Sequence, residues 1–556
     1  MAYVITQRCC NDASCVSECP VDCIRPNPAD PGFVTAEQLY IDPDTCIDCG
    51  ACALACPVDA IFSVDDLVAP LDRYSEINAD YFRRYPLEAN ATRAKATRPR
   101  LPEGAGTLRV AIIGAGPAAC YAAEELLRYA DVEVELFDRL PTPWGLVRAG
   151  VAPDHGGTKA VARMFETSFY RDSIQFRLNV EVGQHISHDE LLAHHHAVIY
   201  AVGASSDRSL DIPGEDLTGS HSATEFVSWY NGHPDYADRQ FDLSGERAVI
   251  VGNGNVALDV ARVLTVDPNR LARTDIADHT LEALRQSNIR EVVLLGRRGP
   301  LQAAYSSPEF MALGYLEGVD IVIDPAELEL DQVSREMLEG PDVDPSVRRK
   351  YELAQEFAAK TPNPANKRIV FRYLTSPTAV VGESKVEAVE FVHNELVSEN
   401  GTSSARATDR TGELPTSLVF RSIGYRGRPV TGLPFDERSG TVPNDSGRVV
   451  DEGAPVSGVY VSGWIKRGPR GVIGTNRVDA QETVEQLLAD FTAGKLQAPR
   501  GDRAALEKLL AERQPSMVDR KGWKAIDSAE RSAGRVNGRP RAKITSKEGL
   551  LEAAGS

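Results

Sequence analysis

Four cysteines in the order Cys46-x-x-Cys49-x-x-Cys52-x-x-x-Cys56, followed at once by Pro57, constrain this chain more than any other feature. Thiolates spaced by two residues on a tight loop can wrap three corners of one cubane iron–sulfur cluster. The fourth, before proline, points away toward a second cluster. Zinc is the main alternative, but zinc knuckles rarely carry the extra Cys-Pro pair. Nine of the ten cysteines lie before residue 57, and the tenth is Cys120. A secreted disulfide domain would also concentrate cysteine. Here the remainder is almost cysteine-free, and the N-terminus MAYVITQRCC lacks the apolar stretch of a signal peptide. Ligation, not cross-linking, is the expectation, with a cytoplasmic location. No run of about 18 apolar residues suggests a membrane span.

The formal net charge is −19, which disfavours nucleic acid and acidic membrane surfaces and favours basic partners. Residues 1–70 carry eleven Asp/Glu against two Arg. An acidic face around the clusters would dock a basic surface, the chain's own body included.

Beyond residue 107 the pattern changes to strand, glycine turn, helix. LRVAIIG leads into Gly114-Ala115-Gly116-Pro117-Ala118-Ala119, and Asp138 closes the next strand about twenty residues on. Gly114 permits the tight turn, and Gly116 lets a pyrophosphate approach the helix N-terminus beside Ala118. Asp138 is placed for an adenosine ribose. A second copy begins with RAVIVG and Gly252-Asn253-Gly254-Asn255-Val256. Its second strand ends not in an acid but in Gly296-Arg297-Arg298, which suits a 2′-phosphate and so NADPH. The expected architecture is α/β: an N-terminal α+β bacterial ferredoxin domain, then two Rossmann-like dinucleotide-binding domains. The boundaries read as 1–69 for the cluster unit, 70–106 for a linker in which Tyr74, Ile77, Tyr81, Phe82 and Tyr85 are too apolar for a free tether and suit packing on a neighbour, and 107–245 with 426–499 for the first nucleotide domain. The second spans 246–425, and 500–556 is an extension in which GWKAIDSAE reads as one short helix. IVFRYLTSPTAVVGE through VEAVEFVHNEL reads as a β-meander. His194-His195-His196 reads as a strand entry, because successive strand side chains alternate faces and cannot converge on one ion.

PTPWGLVRAGVAPDH at 141–155 resembles the signature of the adrenodoxin reductase family of ferredoxin–NADP reductases, and GWIKRGPRGVIGTN at 463–476 is similar to its closing flavin loop. The resemblance covers roughly residues 107–495. With the cysteine-rich start, the whole resembles the fused mycobacterial-type ferredoxin/ferredoxin–NADP reductases. It implies a glutathione-reductase-like arrangement, with FAD in the first nucleotide domain and NADP in the second. Leu146, Val182, Trp464, Gly471, Val472 and Ile473 match flavin-side positions, and Gly471 also a nicotinamide position. His155 matches a histidine beside the flavin, and Glu309 a glutamate near the nicotinamide; either could relay a proton. The first-half cysteines resemble those of seven-iron ferredoxins. That pattern assigns Cys19, Cys46, Cys49 and Cys52 to a [4Fe-4S] cluster and Cys9, Cys15 and Cys56 to a [3Fe-4S] cluster. The family separates its first two such ligands by more than the five residues between Cys9 and Cys15. Cys10 is therefore an alternative to Cys9, or a fourth ligand that would make the second cluster [4Fe-4S]. Cys23 would be a free thiol nearby.

The expected function is electron transfer between NADPH, FAD and iron–sulfur centres, as a ferredoxin–NADP reductase whose acceptor is its own ferredoxin unit or an external ferredoxin or other electron-transfer protein. Two alternatives stay open. One is a glutamate-synthase small-subunit type, which GLVRAGVAPDH fits poorly. The other is a redox-sensing subunit without turnover.

Overall fold

The structure is a computed structural model that describes residues 2–87, 101–102, 104–341, 343–399 and 402–555. The basic stretch Arg93, Lys95, Arg98 and Arg100 lies outside the described residues.

The cysteine-rich start folds as two pseudo-equivalent halves. Strand Tyr3–Ile5 pairs antiparallel with Ile61–Ser63, and Ile24–Arg25 with Tyr40–Ile41. The short helices Ser14–Glu18 and Ala51–Ala55 each follow a left-handed residue, Ala13 and Gly50. Both hairpins are closed by a helix from the segment read as a linker. Helix Arg73–Arg84 buries Tyr74, Ile77, Asn78 and Phe82, so the apolar residues of this segment do pack on neighbours, on one helical stripe. Its Asn78 carboxamide accepts from the amides of Ile5 and Ile41 and donates to the Ile5 carbonyl. Residues 73–84 thus tie the cluster unit, through Asn78, to the core of the second nucleotide domain's sheet, which holds Tyr74, Ile77 and Phe82.

Leu108–Ile113 is central in a seven-stranded sheet. Its order is Asn444–Asp445, Arg448–Asp451, Ala454–Val461, Ala197–Tyr200, Leu108–Ile113, Val132–Asp138, Ile174–Leu178. The run Leu108, Val110, Ala111 and Ile112 is fully buried, as expected of a parallel strand covered on both faces. The second sheet has six parallel strands, ordered Ser220–Ser222, Leu418–Arg421, Arg247–Val251, Glu291–Leu295, Lys367–Arg372, Val319–Ile323. RIVFR therefore belongs to this sheet and not to the meander. The meander is Thr375–Val381, Ala388–Glu399 and Thr402–Pro415. Among the described residues, no helix is long and apolar enough to cross a membrane.

The three histidines run from a helix end into strand Ala197–Tyr200, which begins directly after His196. His194 ends helix His188–His194, and His195 follows it. Their side chains meet the Asp502 carbonyl, the Glu135 carboxylate and the Arg109 amide, respectively.

The C-terminal segment holds three helices, Arg503–Arg513, Arg520–Val536 and Lys547–Ala554. GWKAIDSAE lies inside the 17-residue second one, which buries Trp523, Ile526 and Glu530. Val518 exchanges two backbone hydrogen bonds with Leu178, extending the flavin-side sheet edge. Glu530, wholly buried, accepts from Arg148 at 2.8 Å and from Arg541 at 2.7 Å. Burial alone would raise its carboxyl, but the Arg148 charge leads a set of partners that hold it down to about 2. Glu530→Gln should cost about 3 kcal/mol in denaturant unfolding, because it removes the buried charge that two half-buried guanidinium groups share. The sign in pH follows. This stabilisation is complete above the unfolded Glu range near 4.3. It falls as pH drops toward about 2, and the variant should lack that part of the acid slope.

Candidate functional site

The first glycine turn is built by close backbone approach. Gly114 has φ +103°, and a Cβ there would lie 2.5 Å from the Ala201 carbonyl oxygen. Gly116 precedes helix Pro117–Leu126 with proline at its start. Gly145 lies against it: a Cβ on Gly145 would be 2.8 Å from the Gly116 Cα. Trp144 and Gly145 both have positive φ, and the Trp144 amide donates to the Ala115 carbonyl at 2.8 Å. The strained turn is anchored because the Trp144 ring packs among Phe165, Phe169, Phe176 and Trp523. At the opposite lip, a Cβ on Gly463 would lie 2.6 Å from that of Ala118, so the 463–474 loop closes over the same helix start. Trp464 leans on Tyr425, and Ile473 packs on the flavin-side core. Gly471 and Val472 of this loop are exposed, as is Leu146 on the facing loop. The Asp138 carboxylate accepts from the Ala115 and Leu140 amides, and burial raises its pKa. The Asp138 carbonyl accepts the Val180 amide, which sets the Val182 segment beside it. A glycine cradle, an acid at the strand end and apolar side chains left on the rim fit a flavin dinucleotide.

The second turn repeats the geometry. Gly252 has φ +117°, with the Ser422 carbonyl oxygen 2.1 Å from a notional Cβ. Gly254 precedes helix Asn255–Thr265, which begins Asn255-Val256. Asn253 lies against Gly296, and the Asn255 side chain accepts the Ser306 amide at 2.8 Å. Arg297 is exposed and Arg298 half-buried. Among the described residues, neither guanidinium has a carboxylate partner. Partial burial, then the like charge of Arg297, lowers the Arg298 pKa. Two unneutralised guanidinium groups at this strand end fit a phosphate.

Between the two turns sits a charged cluster. His155 Nε2 lies 3.6 Å from a Glu309 carboxylate oxygen, and Arg262 lies 3.9 Å from the same oxygen. Arg262 is bidentate to Asp154 at 2.7 and 3.1 Å and also binds Asp259. Burial opposes ionisation of Asp154, but the Arg262 charge brings its pKa to about 2. Glu309 has no such direct donor, and burial raises its pKa despite His155 and Arg262. A carboxylate held by Arg262 and a carboxylate without a direct donor among the described residues thus stand side by side. His155, Asp259 and Glu309 offer atoms within 4.8 Å of one another, but Arg262 already supplies the positive charge among them. Sequence reasoning missed Asp154, Asp259, Arg262, Trp144 and Gly145. Asp154 lay in plain view within APDH, whereas nothing in spacing marks Arg262.

The cysteines fall into two cavities. Cys9, Cys10, Cys15 and Cys56 line one. Cys19, Cys46, Cys49 and Cys52 line the other, which Cys23 joins with its sulfur 3.4 Å from that of Cys19. Burial pushes the Cys9 and Cys52 thiols up to about 12. The hydrogen bond from Cys23 instead brings the Cys19 thiol down to about 6, and the convergence of four cysteines on each cavity fits an iron–sulfur centre.

The first cavity abuts the flavin side. The Gly474 amide donates to the Cys10 carbonyl at 2.8 Å, and a Cβ on Gly474 would lie 2.1 Å from the Asn11 backbone. Arg477 donates to the Asp12 carbonyl, and the Tyr121 hydroxyl donates to the Asp12 carboxylate at 2.9 Å. The second cavity faces outward, with Cys49, Ile47 and Leu54 exposed.

Two dinucleotide folds joined to a cluster-binding unit define a pyridine-nucleotide-dependent oxidoreductase. The model for pyridine nucleotide-disulphide oxidoreductases matches residues 108–298, and that for the 4Fe-4S binding domain matches 39–62. The probable ferredoxin/ferredoxin–NADP reductase of Mycobacterium tuberculosis is 48% identical over all of this chain and 95% of its own length. The mitochondrial NADPH:adrenodoxin oxidoreductase of Arabidopsis thaliana is 40% identical over 80% of this chain and 95% of its own. The structure of Mycobacterium tuberculosis FprA in complex with NADPH has 47% identity and a TM-score of 0.77, covering 81% of this chain and all of that one. The chain belongs to the ferredoxin/ferredoxin–NADP reductase family.

Proposed function

We propose that the chain is a ferredoxin–NADP(+) reductase that passes electrons from NADPH through FAD to two iron–sulfur centres in its own N-terminal unit, and from there to an external ferredoxin or other electron-transfer protein in the cytoplasm. The observation that carries this reading is the seam at Gly474: the loop bearing Cys9 and Cys10 rests directly on the loop that closes the flavin site.

Bound FAD supplies the conversion between two-electron hydride chemistry and single-electron transfer. The chain's own part is to bind and orient. Gly114, Gly116 and the helix start at Ala118 take the flavin pyrophosphate, Asp138 borders the adenosine, and Val182 lies on the flavin side. Leu146, Trp464, Gly471, Val472 and Ile473 shield the ring. Asn253, Gly254, Asn255 and Val256 take the NADP pyrophosphate, and Arg297 with Arg298 takes its 2′-phosphate. Glu309 and His155 hold a proton beside the nicotinamide, while Arg262 keeps Asp154 ionised. Cys19, Cys46, Cys49 and Cys52 hold a [4Fe-4S] cluster on the outer side. Cys9, Cys15 and Cys56 hold the inner cluster, which is [3Fe-4S], or [4Fe-4S] if Cys10 is the fourth ligand. The boundary expected at 245/246 moves toward the N-terminus, because strand Ser220–Ser222 joins the second sheet and helix Ala223–Tyr230 packs into its core; helix Arg73–Arg84 bridges the cluster unit and that same core.

NADPH-dependent reduction of cytochrome c by the FAD-loaded chain tests this reading. Turnover is expected; FAD-loaded protein without turnover would leave only a sensing or docking role.

A further inference from the structure

The nicotinamide-side carboxylate Glu309 is poorly fixed by its own neighbours. Its Oε2 is buried without a hydrogen bond among the described residues, and its nearest cations stand at 3.6 and 3.9 Å. Its position therefore depends on the backbone that carries it, the start of helix Ser307–Leu313. That start is not capped from within: Ser306 makes no side-chain bond to the helix, and Pro308 brings no N–H. The missing acceptor comes from the cluster-binding unit. Glu37 Oε2 accepts the Ser307 amide at 2.9 Å and also the Ser307 hydroxyl. Its other oxygen pairs with Lys350 at 3.0 Å.

Glu37 is itself held rigidly. Gln38 and Leu39 after it are buried. The carbonyl of Ala36 before it accepts from the Asn11 side chain at 2.7 Å, two residues from Cys9. On the other side, Asn255 of the second glycine turn holds the Ser306 amide. An unbroken set of contacts thus runs from the inner cysteine loop through Ala36 and Glu37 to Ser307 and Glu309.

We propose that Glu37 is a positioning residue for Glu309, so that the ferredoxin unit completes the nicotinamide site as well as receiving electrons from it. This rests on the reading of Glu309 as the nicotinamide-side acid. Docking of the cluster unit and competence for hydride transfer are then one event.

Holoenzyme carrying Glu37→Ala, Glu37→Gln or Arg73→Ala tests this by two readouts. The first is amide exchange of the segment 304–309, and the second is flavin bleaching at saturating NADPH. Glu37→Ala should speed exchange and slow bleaching by about tenfold each, as expected for loss of one charged hydrogen bond of about 1.5 kcal/mol. Affinity for 2′,5′-ADP, which reads only the Arg297–Arg298 end, should stay within about twofold, since that contact is unaltered. Glu37→Gln keeps an acceptor oxygen for the Ser307 amide and should recover most of the rate. Arg73→Ala removes an exposed pair with Glu356 on the same seam and should behave as the parent. Parental behaviour of Glu37→Ala in either readout would overturn the proposal, as would Arg73→Ala reproducing its effect. Parent enzyme whose flavin NADPH does not bleach would instead overturn the proposed function, and this inference with it.

Discussion

Replacing Arg297 and Arg298 together by alanine should lower kcat/KM for NADPH by about 10³-fold while leaving NADH within about threefold, because two charge-assisted hydrogen bonds at about 2 kcal/mol each are lost. The size of the effect follows from the environment. Neither guanidinium has a carboxylate to pair with among the described residues, so neither is committed to holding the fold. Both lie just beyond the buried strand Glu291–Leu295, where the second glycine turn delivers the adenosine end of the dinucleotide. The loss should appear mainly in KM, since the 2′-phosphate is remote from the transferred hydride and binds ground and transition states alike. Steady-state kinetics with both nucleotides checks it. Equal losses for NADPH and NADH would mean that the arginines serve the fold and not the phosphate.

Gly474→Ala should uncouple the two halves of the molecule. Gly474 has φ −70°, so alanine is tolerated by the backbone itself. What excludes it is the Asn11 backbone, 2.1 Å from the new Cβ. Relief requires the loop Cys10–Asp12 to move off the flavin-closing loop. The displaced loop carries the inner cysteines away from the flavin-closing loop and lengthens the electron path, so the variant should reduce its flavin with NADPH at nearly the parental rate and its iron–sulfur centres several-fold more slowly. Stopped-flow absorbance resolves both phases. Unchanged iron reduction would place the electron crossing elsewhere.

Much of this arrangement is visible in the linear sequence, because several of its parts are set by local backbone demands. Gly114 and Gly252 must adopt positive φ against a neighbouring carbonyl, and a cluster loop needs its cysteines within a few residues of one another. Such constraints write themselves as spacing. Helix Arg73–Arg84 shows in the sequence only as apolar residues in a proline-flanked segment, because what its stripe packs on, Tyr40 and the core of the second sheet, lies far off in the chain. The C-terminal helix Arg520–Val536 was shortened in reading for the same reason: Trp523 and Glu530 matter through Trp144 and Arg148, some four hundred residues earlier. Arg262 and Glu37 are unmarked charged residues until folding sets them against Asp154 and Ser307. What was illegible is what depends on contact between units and not within one.

Anaerobic rapid mixing of iron-replete, FAD-loaded protein with excess NADPH, followed by freeze-quench paramagnetic resonance, tests the central claim most directly. Iron–sulfur reduction should follow flavin bleaching within the same chain, with no added carrier and a rate independent of protein concentration. Clusters that stay oxidised beside a bleached flavin, or that are reduced in proportion to protein concentration, would contradict an internal path across the Gly474 seam.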